Sequence, residues 1–384
     1  MVNPERLRKF LPGEVLLVGE VAEDMGIRAY IVGGTVRDII LGRENIDIDM
    51  VVEGDYLELS ERLKGYGFEA RSKTPLRTLK LKRGSLIMDL AGTRKEFYPK
   101  PGALPRVEPG NLMEDLARRD FTINSIACSI NPSNFGELFD PFDGIGDIGR
   151  RVIRVLHEKS FIDDPTRIMR GARYEVRLGF KMDPRTEELA RRDGRYIREV
   201  GGERIRKELE LIFSEEKPRD IIERLSELSL LKNLDPSLGD FPEGIKREYL
   251  LFAFLYRASR DFINSLKFPK RKKRFILGLK ELSESEHVRD MGRWERVLFF
   301  ERFEPEVLEL ASLLFPKLKE VIREYLDELR DIKPILKGDE IRNMGFGGER
   351  VGEVLMAIRR EKIEGRLKTK EEEMEFVRSY KGAL

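Results

Sequence analysis

Two aspartates separated by one residue, Asp47 and Asp49, stand in a run of alternating apolar and acidic residues at 46–50. The pattern predicts a β-strand over 46–52, in which a period of two places both carboxylates on one face. Neighbouring carboxylates repel each other unless a cation lies between them, and a hard divalent ion such as Mg²⁺ suits oxygen ligands. The pair therefore predicts a metal site, although a solvent-exposed strand edge would show the same pattern.

A glycine pair, Gly33 and Gly34, separates a predicted strand over 27–32 from a predicted helix over 35–41. Backbone amides at such a helix start attract phosphate groups, and Arg37 lies one turn further along. A glycine pair alone is more often a tight turn than a ligand site. Here it precedes the two aspartates by 13 residues, which favours a nucleoside triphosphate in the space between them.

A third acidic residue, Asp89, lies among apolar neighbours in the middle of a predicted strand over 85–91. A carboxylate without a partner is costly to bury, so it is a candidate third metal ligand. An edge-strand aspartate that faces water is the alternative interpretation. The preceding run over 76–82 and this strand flank Arg83 and Gly84 and predict a β-hairpin.

The composition excludes several other chemistries. With two histidines and one cysteine, Cys128, in 384 residues, the chain lacks the ligands of a Cys/His zinc centre and cannot form an internal disulfide. The longest apolar run, 249–256, is too short to span a membrane, and the N-terminus has no apolar signal core, so we expect a cytoplasmic protein. Glutamine is absent, and 72 basic and 70 acidic residues favour many ion pairs and a thermophilic source.

The chain changes character near residue 150, and an α+β fold is expected. Short β-rich runs and glycine turns precede this point, whereas amphipathic helical patterns follow it. We expect a small mixed-sheet head, followed by an all-helical neck, body and tail. The predicted helices lie at 164–178, 185–198, 202–213, 218–231, 244–259, 305–330, 349–363 and 370–380.

One stretch of the predicted body is strongly basic. Residues 267–280 carry seven lysines and arginines and no acidic residue. A solvated charged face is the ordinary interpretation of such a run, but on a nearly neutral chain we favour binding of RNA phosphates. The candidate RNA-binding residues are Lys270, Arg271, Lys272, Lys273 and Arg274.

Five segments together resemble the class II tRNA nucleotidyltransferases of the polymerase β superfamily, whose close relatives are the bacterial poly(A) polymerases. They span residues 31–49, 118–124, 140–154, 163–170 and 202–209. One departure is Asp163, which stands where the family commonly has glutamate. The resemblance implies a nucleotidyltransferase head at 1–150, a base-reading neck at 151–215, and an RNA-binding body and tail at 216–310 and 311–384.

The resemblance also implies roles for individual residues. Asp47, Asp49 and Asp89 would be the catalytic residues and would hold two Mg²⁺ ions. Asp120 and Asn124 would contact the ribose. The implied nucleotide-binding residues are Gly33, Gly34, Arg37, Arg119, Asp120, Asn124, Asp164, Arg167 and Arg170.

Two residues of the fourth segment, Asp164 and Arg167, would read the nucleobase. At i and i+3 of the predicted helix they share one face, so a carboxylate acceptor and a guanidinium donor meet the same base edge. The amine of adenine or cytosine would donate to Asp164, whereas guanine and uracil present the inverse pattern. A helix-start aspartate in an intrahelical ion pair is the structural alternative.

The implied activity is transfer of nucleotides from ATP or CTP to the 3′ end of tRNA, with release of pyrophosphate. Residues 47–55 are similar to members that divide CCA addition between two enzymes, and the terminal adenosine is favoured. Addition of CC, of the full CCA or of poly(A) are alternatives within the family. A non-catalytic RNA-binding module is the alternative of another class.

Overall fold

A computed structural model describes residues 4–43, 47–71, 74, 77–240 and 242–382 of the chain. The chain forms two compact units, Met1–Asp240 and Phe241–Leu384. The finer division into head, neck, body and tail stays a prediction.

The first unit contains a seven-stranded mixed sheet and two short two-stranded sheets. The strands are β1 (Arg28–Val32), β2 (Asp49–Glu53), β3 (Glu69–Arg71), β4 (Thr78–Arg83), β5 (Leu86–Gly92), β6 (Arg94–Phe97), β7 (Arg106–Pro109), β8 (Ala127–Ser129), β9 (Leu138–Phe139), β10 (Val152–Ile153) and β11 (Lys181–Met182). The order in the large sheet is β3-β4-β5-β2-β1-β8-β9. The predicted α+β class is confirmed. Four strands of the large sheet were predicted, at 27–32, 46–52, 76–82 and 85–91, whereas β3, β8 and β9 were not, because each is only two or three residues long.

Helices form most of the first unit after residue 140. The helices of this unit are α1 (Pro4–Phe10), α2 (Gly13–Asp24), α3 (Gly34–Ile40), α4 (Tyr56–Lys64), α5 (Leu112–Ala117), α6 (Gly144–Arg150), α7 (Ser160–Asp163), α8 (Thr166–Leu178), α9 (Pro184–Asp193), α10 (Gly202–Ser214), α11 (Pro218–Glu227) and α12 (Leu230–Leu234). Of these, α2, α3 and α4 pack against strands of the large sheet. The predicted helix over 218–231 is divided at Ser229, whose backbone is left-handed with φ of 61°.

The centre of the sheet brings the acidic strands together. β2 runs antiparallel to β1 and parallel to β5, and in that parallel register Asp49 lies opposite Asp89. The predicted hairpin is confirmed, since β4 and β5 pair antiparallel on either side of Gly84. The sheet therefore fixes two of the three predicted catalytic carboxylates at neighbouring positions.

The predicted strand over 46–52 was wrong at its start, because β2 begins at Asp49. The Thr35 hydroxyl donates to the Asp47 carbonyl at 3.1 Å and accepts from the Asp49 amide at 3.0 Å. This contact with α3 holds the backbone before β2. Asp47 thus lies in a loop and not on the strand face, while Ile46 lies outside the described residues.

The second unit is helical in its described part and encloses its own apolar core. No described helix is both long and apolar enough to cross a membrane. The helices are α13 (Leu250–Leu255), α14 (Arg260–Ser265), α15 (Lys270–Ser283), α16 (Arg293–Phe300), α17 (Pro305–Leu314), α18 (Lys319–Glu324), α19 (Gly338–Asn343), α20 (Arg350–Ile363) and α21 (Lys370–Gly382).

Two long helices predicted in this unit are shorter in the structure. The predicted helix over 305–330 is interrupted after α17, because Pro316 restricts Phe315 to a non-helical conformation. A π-helical turn over Tyr325–Leu329 follows α18. The predicted helix over 244–259 reduces to a 3₁₀ turn at Arg247–Tyr249 and the six residues of α13.

A buried carboxylate holds the last helix to the rest of the second unit. Glu373 on α21 is fully buried and accepts hydrogen bonds from the backbone amides of Ile335 and Leu336. The Lys362 ammonium on α20 lies 2.7 Å from the same carboxylate. Because every partner of this carboxylate loses water on folding, the group is expected to be costly to remove.

We expect Glu373→Ala to lower the free energy of unfolding of the second unit by about 3 kcal/mol, since it leaves Lys362 buried without its partner. Urea denaturation followed by the fluorescence of Trp294, the single tryptophan, would measure this. Glu371→Ala on the same helix, at an exposed position, is the matched control and should change stability by less than about 0.5 kcal/mol. Equal effects of the two substitutions would contradict the interpretation.

Candidate active site

One cavity of about 560 Å³ in the first unit is lined by the glycine turn, the loop before β2 and the start of α8. Nine lysine and arginine side chains and seven aspartate and glutamate side chains line it. Eleven of the twelve predicted catalytic and nucleotide-binding residues lie in its wall, and Asp89 is the exception. The excess of basic groups suits a polyanionic ligand, and the acidic groups suit a cation or hydrogen-bond donors.

The glycine turn needs glycine for two reasons. Gly33 has φ of 67°, a left-handed backbone that other residues adopt only with strain. A Cβ atom at this position would also lie 2.7 Å from Arg119 Nη1. The turn therefore leaves room for the Arg119 guanidinium at the cavity wall.

Arg37 is buried and its guanidinium is engaged within the wall. Its Nε and Nη2 donate to the two carboxylate oxygens of Asp38, each at 3.0 Å, and its Nη1 donates to Asn124 Oδ1 at 2.5 Å. The ring of Tyr174 lies 5.3 Å below the guanidinium carbon. These contacts give Arg37 a role in holding the wall together, and its predicted contact with a triphosphate stays a prediction.

Asp47 and Asp49 both line the cavity, while Asp89 lies beyond Asp49 in a neighbouring cavity. Burial raises the pKa of Asp49, and the charges of Asp89 and Asp47 raise it further against the opposing effect of Arg119. Asp89 instead forms an ion pair with Lys80 at 2.9 Å. The fold thus holds one carboxylate where its ionised form lacks full compensation.

The donor set at this position fits a divalent cation such as Mg²⁺. The two cavity-lining aspartates supply the oxygen ligands that this ion prefers, and a bound cation would favour the ionised form of Asp49. No group of three or more metal-ligating side chains comes together among the described residues. Asp47 and Asp49 therefore fit a metal site that substrate oxygens or water complete, whereas Asp89 would have to leave Lys80 to join it.

Asp120 is the centre of a buried polar network in the cavity wall. Its Oδ1 accepts from Asn124 Nδ2 at 2.9 Å, and its Oδ2 accepts from Arg170 Nε at 2.9 Å. Burial by itself raises the pKa of Asp120, but the Arg170 charge and the hydrogen bonds outweigh it, and the pKa lies at about 2. Asp120 is therefore ionised at neutral pH and locks Asn124 and Arg170 in place.

The predicted base-reading pair lies in the cavity, but not on one helix face. Asp164 precedes Pro165 and lies outside α8, which begins at Thr166. The prediction of a shared helix face was therefore wrong, because the proline and the amide of Thr166, which donates to Asp164 Oδ1 at 3.0 Å, place Asp164 in a capping turn. The Asp164 carboxylate pairs with Arg204 at 2.7 Å, so the alternative of an intrahelical pair with Arg167 is also wrong.

Arg167 is buried beside this turn, and its guanidinium donates to groups of the cavity wall. Its Nη1 donates to Ser160 Oγ at 2.8 Å, and its Nη2 donates to the Arg118 carbonyl at 2.7 Å. These contacts orient the guanidinium plane. Asp164 and Arg167 thus lie in the same cavity wall but are held by different helices. Arg204 on α10 holds Asp164, and Ser160 on α7 holds Arg167.

Sequence reasoning missed several residues of the wall. Glu96 lies on β6, and Tyr98 lies just after it in the loop of the β6–β7 hairpin. The Tyr98 hydroxyl donates to Glu96 at 2.8 Å, and burial raises the pKa of the Tyr98 phenol. Glu96 also pairs with Arg118 at 3.2 Å. This hairpin lies between the recognised segments and shows no periodic signal. Arg204 stands inside the fifth segment and could have been singled out there.

Comparison with known proteins places the chain in a family. A family model described as the poly(A) polymerase head domain matches residues 29–154, and one described as a probable RNA and SrmB-binding site of polymerase A matches residues 179–241. A solved structure of a tRNA-processing enzyme complex is 32% identical with a TM-score of 0.60, covering 90% of this chain and all of the other. This chain belongs to the tRNA nucleotidyltransferase and poly(A) polymerase family. The resemblance stated from the sequence is confirmed.

Two further relatives of the family show how far the similarity extends. The A-adding tRNA nucleotidyltransferase of Aquifex aeolicus is 35% identical over 87% of this chain, and the chain spans about half (45%) of that protein's length. A CCA-adding enzyme in an apo form is 29% identical with a TM-score of 0.76, covering 98% of both chains. Similarity of fold and sequence therefore extends over both units of the chain.

We expect Asp120→Asn to lower the free energy of unfolding at pH 7 by roughly 2–3 kcal/mol, because an amide group would face the Arg170 guanidinium with a donor. The Asp120 pKa is depressed, so the stability that its ionised form contributes is present above pH 4 and is lost as the pH falls towards 2. The difference in the free energy of unfolding between wild type and Asp120→Asn should therefore decrease as the pH falls from 4 towards 2.

Urea denaturation followed by far-ultraviolet circular dichroism at several pH values would measure this difference. Asp143→Asn is the matched control, because that exposed carboxylate pairs with Arg150 and its backbone conformation suits asparagine. Its effect should stay below about 0.5 kcal/mol. A stability difference for Asp120→Asn that does not change with pH would show that the carboxylate charge is not the cause.

Proposed function

We propose that this chain is a template-independent nucleotidyltransferase that adds nucleotides from ATP or CTP to the 3′ end of tRNA, with the terminal adenosine favoured. One observation carries the proposal: a single cavity joins two acidic residues, a glycine turn and the Asp164 and Arg167 pair. A site with these three parts can hold a triphosphate at one end and test a base at the other. A tRNA substrate also supports the predicted cytoplasmic location.

The reaction is attack of an RNA 3′-hydroxyl on the α-phosphate, with pyrophosphate as the leaving group. When bound at Asp47 and Asp49, with Asp89 as a further predicted ligand, Mg²⁺ ions supply activation of the hydroxyl and neutralisation of phosphate charge. The chain itself supplies orientation. Arg119 and Arg170 line the same cavity as the acidic pair and the base-reading pair, and triphosphate oxygens would accept from their guanidinium groups.

Base choice follows from hydrogen-bond directions at the other end of the cavity. The described contacts of the Asp164 carboxylate fall on Oδ1, so Oδ2 is the oxygen that would accept from the amine of adenine or cytosine. Arg167 would donate to the adjacent ring nitrogen. Guanine and uracil place an acceptor opposite Asp164 and a donor opposite Arg167, which leaves both protein groups without partners. Asp120 and Asn124 remain the proposed ribose contacts.

The basic helix of the second unit is the proposed contact with the tRNA backbone. Lys270, Arg271, Lys272 and Arg274 are exposed on the first turns of α15, and Lys273 is half-buried. Arg271 and Arg274 share the single carboxylate of Glu304, at 3.3 and 3.5 Å. The exposed lysine and arginine side chains of this turn offer positive charge that suits phosphates.

Full CCA addition is the second candidate within the family. The name of the Aquifex aeolicus relative supports addition of adenosine alone. The similarity to a CCA-adding enzyme over 98% of both chains supports the wider activity. The two candidates differ in which tRNA ends grow and with which nucleotide.

Incubation with Mg²⁺, one labelled nucleotide at a time and tRNA transcripts that end before CCA, at C or at CC tests the proposal. Growth only of the CC-ended transcript with ATP is expected for terminal adenosine addition. Growth of the two shorter transcripts with CTP would establish CC or CCA addition, and long adenosine ladders would establish poly(A) synthesis. Binding of tRNA without any nucleotide incorporation would overturn the proposed enzymatic activity and favour a non-catalytic RNA-binding module.

We expect Asp49→Asn to reduce nucleotide incorporation by a factor on the order of 10³, because the neutral amide is a poor ligand for the cation. Affinity for tRNA, measured by filter binding, should change less than about twofold. Asp331→Ala, at an exposed aspartate of the second unit that pairs with Arg330, is the matched control. Retention of full incorporation by Asp49→Asn would remove the metal site from the proposal.

We expect Asp164→Asn to reduce the preference for ATP over GTP by roughly 10- to 100-fold. The Thr166 and Arg204 donors would hold the amide oxygen at the Oδ1 position, so the amide nitrogen would face the base as a donor. Single-nucleotide incorporation on a CC-ended transcript with each nucleotide in turn measures the ratio. An unchanged ratio, with incorporation retained, would show that Asp164 does not read the base.

A further inference from the structure

We propose that Arg204, on α10, is a positioning residue that fixes the rotation of the Asp164 carboxylate and thereby contributes to base choice. The inference rests on the proposed function, because it takes Asp164 as the acceptor for the nucleobase. The inference extends the base-reading site by Arg204 and by the loop of the β6–β7 hairpin. The Arg204 guanidinium contacts both Asp164 and this loop.

The first observation is that three donors converge on one oxygen of Asp164. The Thr166 amide lies 3.0 Å from Oδ1, the Thr166 hydroxyl 2.6 Å and Arg204 Nη2 2.7 Å. No described contact involves Oδ2, while Asp164 lines the cavity. A carboxylate held by three donors on one side presents its other oxygen in a defined direction.

The second observation is that Arg204 is itself held from the other side. Its Nη1 donates to the Gly102 carbonyl at 2.9 Å. The Gly102 amide in turn donates to the carbonyl of Ile162 on α7 at 3.2 Å, so the hairpin loop is attached at two points. Arg204 therefore cannot turn away from Asp164 without breaking its contact with this loop.

The loop reaches the mouth of the same cavity. Leu104 and Pro105, just beyond Gly102, line the cavity, and Leu104 is 66% exposed there. Gly102 has φ of 67°, and a Cβ atom would lie 3.1 Å from the backbone of Glu199, so the loop is packed closely at its turn. The Arg204 guanidinium thus holds both the Asp164 carboxylate and the loop that lines the cavity.

Removal of the Arg204 guanidinium has a specific consequence for the carboxylate. Oδ1 keeps only the two donors of Thr166, both from one side, and the carboxylate gains freedom to rotate about its Cβ–Cγ bond. A misdirected acceptor weakens the contact with the correct base and relaxes rejection of the wrong one. The triphosphate end of the cavity and the acidic pair are unaffected.

The test compares kcat/KM for ATP and GTP on a CC-ended tRNA transcript. We expect Arg204→Ala to reduce the ATP to GTP ratio by roughly 10- to 100-fold. Arg204→Lys should recover part of the ratio, because one ammonium can still reach Asp164. Arg185→Ala, at an exposed arginine that also pairs with two carboxylates and does not line the cavity, is the control and should leave the ratio unchanged.

Thr166 provides an independent approach to the same oxygen. Thr166→Val removes the hydroxyl donor and should lower the ratio in the same direction, whereas Thr166→Ser keeps that donor and should preserve it. Circular dichroism melting of each variant reports on the fold. If Arg204→Ala does not fold, the Arg204→Lys and Thr166 variants decide.

The outcomes separate this inference from the proposed function. Wild-type protein that incorporates no nucleotide would overturn the function. Wild-type incorporation with an unchanged ratio in Arg204→Ala and Thr166→Val would overturn the inference alone. A uniform fall of incorporation with both nucleotides, at a constant ratio, would also overturn it, because that result reflects loss of structure and not of direction.

Discussion

The cavity depends on one physical constraint: charges too deeply buried to stand alone are held in place by opposite charges. Asp120 is ionised because Arg170 and Asn124 surround it, and Arg37 is confined by Asp38 and Asn124. Each of these bonds costs desolvation and is retained only if its geometry is good. The result is a wall whose donors and acceptors have fixed directions before any ligand arrives. Such preorganisation is what recognition of a base without a nucleic-acid template requires.

The acidic pair differs, because the charge of Asp49 is not fully compensated by neighbouring cations. Asp49 is half-buried beside Asp47 and Asp89, and the neighbouring cations do not fully offset the cost of desolvating its charge, so its pKa is raised. A structure built only for stability would pair this carboxylate or replace it. The proposed metal ion would supply positive charge beside this incompletely compensated carboxylate. Under the proposed function, the Asp120 network would orient the nucleotide and the acidic pair would hold the reacting groups.

The sequence predicted more of the site's membership than of its geometry, and most of that membership came from the family resemblance and not from local patterns. The strand and hairpin around Asp89 are short-range features, and alternation with a glycine turn was sufficient to predict them. Asp47 was misplaced because Thr35 acts on its backbone from 12 residues away, and the ion-pair partner of Asp164 was missed because Arg204 lies 40 residues away, beyond any local pattern. Glu96 and Tyr98 were missed for the same reason, since only the folded hairpin brings them to the cavity. The short edge strands of the sheet carried too few residues to show a period.

The parallel pairing of β2 with β5 has a consequence for how the protein folds. The two strands lie side by side, yet α4, β3 and β4 intervene along the chain, so their ladder closes a long loop. Closure of such a loop costs conformational entropy before the ladder repays it, and non-local pairings of this kind form slowly. Asp49 and Asp89 are brought side by side only by this long-range pairing, so the repulsion between their carboxylates belongs to the folded sheet and not to the local chain.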